Sequence, residues 1–445
     1  MAGFAFPCEV AQWITHLSCL LHATSGWRLA PLLGGALFAK GRATVANWLR
    51  TGGLSRHYQD YYYFLGSLGR NTNTVAALLL GLILRVIHPG ERLLFAIDDT
   101  PTKRYGPRVE GAGLHHNPTP GPAAQKYLYG HVWVTLAWVV RHACFGTIGL
   151  PVLAYLYVRS KDIPKLMPWY RVKFQTKLEQ AAALVEWLAG WVKRVGKKLW
   201  IVVDGAYAKR PFLQRALRAG ATVVCRLRKD AALWSVPVVV PPGQRRRGAP
   251  RKYGKDKISL VKRAGQRRGW QRQTFTLYGK KVHKCYKTFL ATYKPAGGLI
   301  RVVLVREADR TWRAYLCTDS NATAADILEA VADRAAIEQN FHDLKEVHGA
   351  GQQQLRNYWA NMAAYHVTMW LHTLIELWAW PQEAQELVDR SASPWDDADR
   401  RPSHADRRNA LRRQCLEKEF QREAAGGAVS DKIRRLWRRL LKLAV

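Results

Sequence analysis

Two short apolar runs in this sequence stop on carboxylates, and that pairing restricts the fold more than any other feature. Leu93-Leu-Phe-Ala-Ile-Asp98-Asp99-Thr100 and Leu199-Trp-Ile-Val-Val-Asp204-Gly205 have the length and apolar continuity of buried strands. Residues 127–140 and 146–158 read as two further strands, a hairpin joined by Arg141-His-Ala-Cys144. Residues 169–195 and 210–219 read as helices, the second closed by Gly220, and residues 221–227 as a fifth strand. Strand–strand–strand–helix–strand–helix–strand is a mixed α/β order and not a regular βαβ repeat. Ligands of open α/β sheets gather beyond the strand ends, where both acidic stops fall.

A third acid lies further on, in Asp333-Arg-Ala-Ala-Ile-Glu338-Gln-Asn-Phe-His-Asp-Leu-Lys345. The pattern begins near Thr323 and Asp326, both candidate caps, and meets no Pro or Gly before Gly349, so it reads as one helix. At ~100° per residue, Arg334, Glu338 and Lys345 fall within about 40° of one another. Such a stripe is either a solvated face of spaced ion pairs or a metal-binding carboxylate flanked by phosphate-holding cations.

Charge narrows the partners. The 445 residues carry 69 Lys and Arg against 33 Asp and Glu, a net +36 that makes a compact state repel itself unless a polyanion neutralises it. Nucleic acid fits that need, because a basic surface is what phosphate neutralisation demands. A membrane partner is set aside: the longest apolar runs, residues 75–84 and 132–140, are too short to span ~30 Å of hydrocarbon. With 48% hydrophobic residues and 18 Trp the chain can build real cores. Seven Cys stand singly without a Cys-x-x-Cys pair, and the N-terminus lacks a positive leader. Reduced thiols, no structural zinc site and a cytoplasmic, nucleoid-associated protein are the expectation.

The flanks are basic and mostly helical. Residues 1–88 form a helical region in which Gly41–Leu54 is either part of a helix–turn–helix, aiming Arg42, Asn47 and Arg50 at DNA, or an ordinary bundle segment. Residues 228–312 form a basic β-rich insertion, and within residues 241–290 sixteen Lys/Arg face a single acid, Asp256. Arg245, Arg246, Arg247, Arg251 and Lys252 lie among Gly and Pro, as in a minor-groove arm or a basic loop that meets DNA phosphates. Residues 357–380 read as a long apolar helix whose His366 and His372 are packed or partly exposed and not ligands, and residues 383–445 as a basic C-terminal region ending in an amphipathic helix.

Three acids without His or Cys suit Mg²⁺ or Mn²⁺, which take carboxylates, waters and phosphate oxygens. Cutting a phosphodiester in a polyanion requires charge neutralisation and an activated hydroxyl, and two ions ~3.5–4 Å apart supply both.

At these residues the sequence resembles the DDE transposases of bacterial insertion sequences. Arg334-x₃-Glu338-x₆-Lys345 looks like the Tyr-x₂-Arg-x₃-Glu-x₆-Lys signature of the cut-and-paste branch, while Leu93–Thr100 and Val202-Val-Asp204-Gly205 resemble its two Asp strands. The resemblance spans residues 90–380 and implies an RNase H-like fold shared with retroviral integrases. It would place a mixed five-stranded sheet with flanking helices in residues 89–227 and 313–382, split by the insertion. It also implies catalytic, metal-holding Asp99, Asp204 and Glu338, with Asp98 as the alternate to Asp99, and two Mg²⁺ per site. Alternation along a strand allows only one of the adjacent Asp to face metal; we assign Asp99. Arg334 and Lys345 would contact phosphates, and Trp312, with Trp270 and Tyr315, would be a candidate for stacking on a flipped base. The implied partners are transposon-end and target DNA, bound by a homodimer. The signature Tyr is missing, its place being taken by Val331. A nuclease of the same fold without strand transfer, and an inert DNA-binding regulator, are the competing readings.

Overall fold

The computed structural model describes residues 5–54, 56–117, 126–238, 249, 251–309, 311–391, 393, 395–424, 433–434 and 437. Five helices come first: α1 (Cys8–Ser18), α2 (Leu29–Phe38), α3 (Val45–Thr51), α4 (Tyr58–Arg70) and α5 (Thr72–Ile87). His88 in the left-handed conformation, followed by Pro89 and Gly90, ends the last of these. Strands β1 (Arg92–Lys103), β2 (Gly113–His116), β3 (Tyr127–His142) and β4 (Gly146–Tyr157) follow. Next come α6 (Lys177–Val192), β5 (Lys198–Val203), α7 (Arg210–Arg218) and β6 (Thr222–Leu227). A third stretch holds β7 (Leu233–Trp234), β8 (Lys257–Ile258), α8 (Leu260–Gly265), β9 (Gln271–Leu277), β10 (Lys280–Tyr293), β11 (Gly298–Arg306) and β12 (Trp312–Cys317). Helices α9 (Ala324–Asp333), α10 (Ala335–Glu346), α11 (Tyr358–Ala379), α12 (Ala384–Leu387) and α13 (His404–Ala424) close the described chain.

β1 is the axis of the sheet. It pairs antiparallel with β3 on one side and parallel with β5 on the other, giving the order β4-β3-β1-β5-β6 with β5 and β6 parallel to β1. The sheet does not stop there. β12 pairs with the outer edge of β6, and β11, β10, β7 and β8 continue outward, with β9 on β10 and β2 on β3. A single sheet thus runs across the boundary drawn at 227/228, because the next strands cap an otherwise open edge of β6.

Alternation along β1 divides the core in two. Leu93, Phe95 and Ile97 face the N-terminal helices, α6, α7 and α11, whereas Leu94 and Ala96 pack with Trp200, Val202 and Val224 beneath α9 and α10. Burial on both faces explains why the strand reads as a continuous apolar run.

Two helices differ from the pattern read in the sequence. α6 begins at Lys177, eight residues after the expected start, because Thr176 and Glu179 close a reciprocal capping box. The long helix before Gly349 is two helices: α9 ends at Asp333, Arg334 forms a turn, and α10 starts at Ala335.

α11 is buried over almost its whole circumference, as a central core helix must be. No single helix among the described residues is long and apolar enough to cross a membrane; the bent pair α4 and α5, at 74°, passes by length and composition only. α4 lies against α11 so closely that a Cβ on Gly69 would sit 1.9 Å from the Trp359 carbonyl oxygen. Gly69→Ala is therefore expected to force the helices apart and destabilise the fold by roughly 1–3 kcal/mol. Gly66→Ala on the same helix meets nothing within 4 Å and is expected to be neutral or stabilising. Thermal melting of both variants checks the contrast.

Candidate active site

β1 and β5 bring acids together. Ile97 lies opposite Val203 in the parallel register, so the next residues sit side by side: Asp98 midway along β1, where it still pairs with Thr135 of β3, and Asp204 just past the end of β5. Both continue the side-chain series that packs beneath α9 and α10, namely Leu94 and Ala96 on β1 and Trp200 and Val202 on β5. Arg334 sits at the join between those helices and reaches down onto them. Its Nη1 donates to Asp98 Oδ2 at 2.6 Å and its Nη2 to Glu338 Oε1 at 2.5 Å. One guanidinium thus spans the sheet acid and the helix acid, in the forked geometry suited to carboxylates.

The electrostatics fit that placement. Burial raises the Asp98 carboxyl to about 6; Arg334 and the Asp99 backbone N–H pull it down, while the charges of Asp99 and Asp204 push it up. Burial alone would lower the Arg334 guanidinium, but Asp98, Glu338 and Asp204 hold it above its usual value. Asp204 and Glu338 are exposed, so the cluster opens to solvent on one side.

Asp99 is placed elsewhere. Its Oδ2 accepts from Lys177 Nζ at 2.6 Å and its Oδ1 from Tyr207 Oη at 3.1 Å. It points to the opposite face of β1, where it ties down the first turn of α6. Asp98 and not Asp99 therefore shares a face with Asp204 and Glu338. The physical reason is parity: the face of β1 covered by the Glu338 helix is the even-numbered one. Neither Lys177 nor Tyr207 stands out in the sequence, although Thr176-x-x-Glu179 is a capping-box spacing that places Lys177 at the mouth of a helix.

The remaining sequence candidates scatter. Lys345 is half-buried, with burial lowering its ammonium, and lines a cavity beside Pro101, Thr102 and Lys103 at the far end of β1. Val331 packs against the core beneath α9, which leaves no aromatic ring at the place of the signature Tyr. Trp312 packs partly buried with Lys229 Nζ 5.2 Å from its ring centre, and Tyr315 is buried. Trp270 carries Arg306 at 4.3 Å and Lys287 at 4.8 Å over its ring. Arg251 and Lys252 are exposed, while Arg245, Arg246 and Arg247 lie outside the described residues. Arg42 and Arg50 are exposed, but the Asn47 amide is spent on the Lys40 and Arg42 carbonyls.

An all-oxygen set on Asp98, Asp204 and Glu338 is the donor chemistry of Mg²⁺ or Mn²⁺. The mutual repulsion and burial that raise Asp98 are what a bound cation relieves, so the residues fit such an ion.

The acids thus sit at neighbouring positions on two adjacent parallel strands, midway along β1 and just past the end of β5, with a third on a covering helix. The sequence profile described as DDE superfamily endonuclease matches residues 16–281, more than half of the chain, and the protein belongs to that family. The match takes in Asp98, Asp99 and Asp204 and ends before Glu338. No curated protein matches the chain in sequence. Among solved structures, a piggyBac transposase synaptic complex with hairpin DNA is similar at 10% identity and TM-score 0.34, over 99% of this chain and 77% of that one. The NurA nuclease from Sulfolobus solfataricus follows at 10% identity and TM-score 0.22, over 72% of this chain and 96% of that one. Both likenesses are too distant to carry an argument.

α9, which leads into the Glu338 helix, is held over the sheet by a cap that doubles as an ion pair. Asp326 Oδ2 accepts from the Thr323 backbone N–H at 3.0 Å, and its Oδ1 accepts from Arg92 Nη1 at the start of β1 at 2.8 Å. Burial raises the Asp326 carboxyl, but the Thr323 and Arg92 bonds outweigh it and hold the group below its usual value of 3.8. A depressed carboxyl contributes stability that is present above its unfolded pKa and lost as pH falls through the folded one. Asp326→Asn is thus expected to cost about 1 kcal/mol at pH 7, a loss that shrinks below pH 4. Urea titrations at pH 7 and pH 3 check the sign.

Proposed function

We propose that this protein is a DNA transposase that cuts at transposon ends in a metal-dependent reaction and joins the freed 3′-end to target DNA. The observation that carries the reading is the convergence of Asp98, Asp204 and Glu338 on one face of β1 and β5, with Arg334 bridging the first and last. The strand order β4-β3-β1-β5-β6 supports an RNase H-like core, and the family favours DNA cleavage. Arg334-x₃-Glu338-x₆-Lys345 supports the cut-and-paste insertion-sequence branch, with Val331 as its departure.

On this reading Asp98, Asp204 and Glu338 hold two divalent ions, Mg²⁺ or Mn²⁺. When bound, such ions neutralise the scissile phosphate and activate the attacking hydroxyl. The chain's own groups do the positioning. Arg334, held against Asp98 and Glu338, presents a guanidinium beside the cleft for a phosphate oxygen. Asp99, through Lys177 and Tyr207, fixes the start of α6 against the end of β1 and acts only by holding that wall. The exposed basic residues of β9 and β10, among them Arg272, Lys280 and Lys281, offer phosphate contacts beside it. The partner is end and target DNA, bound by a homodimer at paired ends inside a bacterial cytoplasm.

The competing reading, a nuclease without strand transfer, uses the same acids and differs only in products. The test uses the full chain, Mg²⁺ and a plasmid carrying the ends of the element. Asp98→Ala, Asp204→Ala and Glu338→Ala are each expected to bring cleavage to background while end-DNA binding persists. Asp99→Ala is expected to retain measurable cleavage at a lowered melting temperature. Full activity in Asp98→Ala would overturn the site, and linear cleavage without joining of a labelled end would favour the nuclease.

A further inference from the structure

Away from the acids, three imidazoles meet inside the protein. His348 lies in the turn that follows α10, His372 on α11, and His404 is the first residue of α13. They are 4%, 2% and 3% exposed. The Nε2 atoms of His348 and His404 are 2.7 Å apart, and the His372 ring stacks on that of His404 with centres 3.8 Å apart. One ring nitrogen from each of the three lies within 4.8 Å of the others. The described residues contain no other group of His, Cys, Asp or Glu packed so tightly.

The cluster is under-satisfied for a purely structural knot. His348 Nδ1, His372 Nδ1 and Glu376 Oε2 are buried without a hydrogen-bond partner. Buried polar atoms are normally paired, so three orphans in one place call for an explanation. The surroundings also set the tautomers. His404 Nδ1 gives its proton to Glu376 Oε1 at 2.5 Å, leaving the Nε2 lone pair directed at His348. The like charge of Arg407 toward a bound cation is offset by Glu376, which accepts from its Nη2 at 2.8 Å.

We propose that His348, His372 and His404 form a buried zinc site, with Glu376 as the carboxylate that orients His404. A neutral imidazole whose other N–H is held by a carboxylate is the arrangement that fixes histidine ligands to zinc. In a tetrahedral site with bonds of ~2.0–2.1 Å, ligand nitrogens stand about 3.3 Å apart. To admit the ion the His348 and His404 nitrogens part by about half an ångström, and His372, stacked nearly parallel on His404, turns out of the stack to bring its lone pair onto the same point. The proton now shared between their Nε2 atoms moves to the unpartnered His348 Nδ1, so zinc enters without net proton release. A water completes the shell. The site joins three elements: the end of the Glu338 helix, the central helix α11 and the C-terminal helix α13, the last two already linked through Glu376 to His404 and Arg407. The metal is a staple, distinct in ligand chemistry from the all-oxygen cluster.

The full chain, expressed without a polyhistidine tag, tests this. After exhaustive dialysis against EDTA, which strips exposed carboxylate sites, elemental analysis is expected to find about one zinc per chain, and X-ray absorption to count three imidazole nitrogens around it. His348→Gln, His372→Gln and His404→Gln are each expected to lose at least tenfold in zinc occupancy. Less than a tenth of an equivalent in the native chain, fewer than two imidazoles in its absorption spectrum, or full occupancy in all three variants would overturn the site. The absorption spectrum of the unmutated protein decides even where a variant fails to fold.

Discussion

Two carboxylates that a sheet and a helix bring to the same cleft repel one another, and Arg334 is the group that lets them stay there. Its guanidinium touches Asp98 and Glu338 at once, and the break between α9 and α10 is what puts it in reach. A cation at the amino end of α10 works against the helix dipole, while Glu338 in the first turn works with it. The pair of acid contacts offsets the dipole cost and desolvation of Arg334. Removing only one member of such a cluster leaves an uncompensated charge, which is far costlier than never having built it.

Much of this could be read in the residues. The strands around Asp98 and Asp204 were visible as apolar runs because they are buried on both faces, and the hairpin after them for the same reason. Arg334 and Glu338 were visible as a pair four residues apart. The choice between Asp98 and Asp99 was not, because it depends on which face of β1 the Glu338 helix covers. Local alternation says that the two Asp diverge; only the pairing of Ile97 with Val203 and the docking of α9 and α10 say which way. The break at Arg334 was hidden for a related reason. No Gly or Pro marks it; Arg334 keeps right-handed helical dihedrals there while its side chain bonds to a strand more than two hundred residues earlier. The start of α6, by contrast, was legible in Thr176 and Glu179.

Net charge needs a spatial correction before it speaks about DNA. Arg104 donates to His131 Nδ1 and the Gly351 carbonyl inside the protein, Arg407 is buried on Glu376, and Arg412 is buried as well. These residues add to the formal +36 without offering anything to a phosphate. Buried guanidiniums act instead as multi-pronged donors for carbonyls and carboxylates, a use that composition cannot distinguish from surface charge. Part of the basic excess that remains available lies where the sheet extends past β6, while exposed cations such as Arg42, Arg108, Lys161 and Arg171 lie elsewhere. Along β9 and the first half of β10 most side chains are exposed, while Phe275, Leu277 and Tyr286 anchor the ribbon in the core beneath α9. A two-stranded ribbon is marginal by itself, so this packing is what holds it to the sheet. The polyanion argument therefore survives in a sharper form: it concerns the exposed share of the charge, part of which lies on a basic edge in the same sheet as the strands that carry Asp98 and Asp204, five strands along from β1.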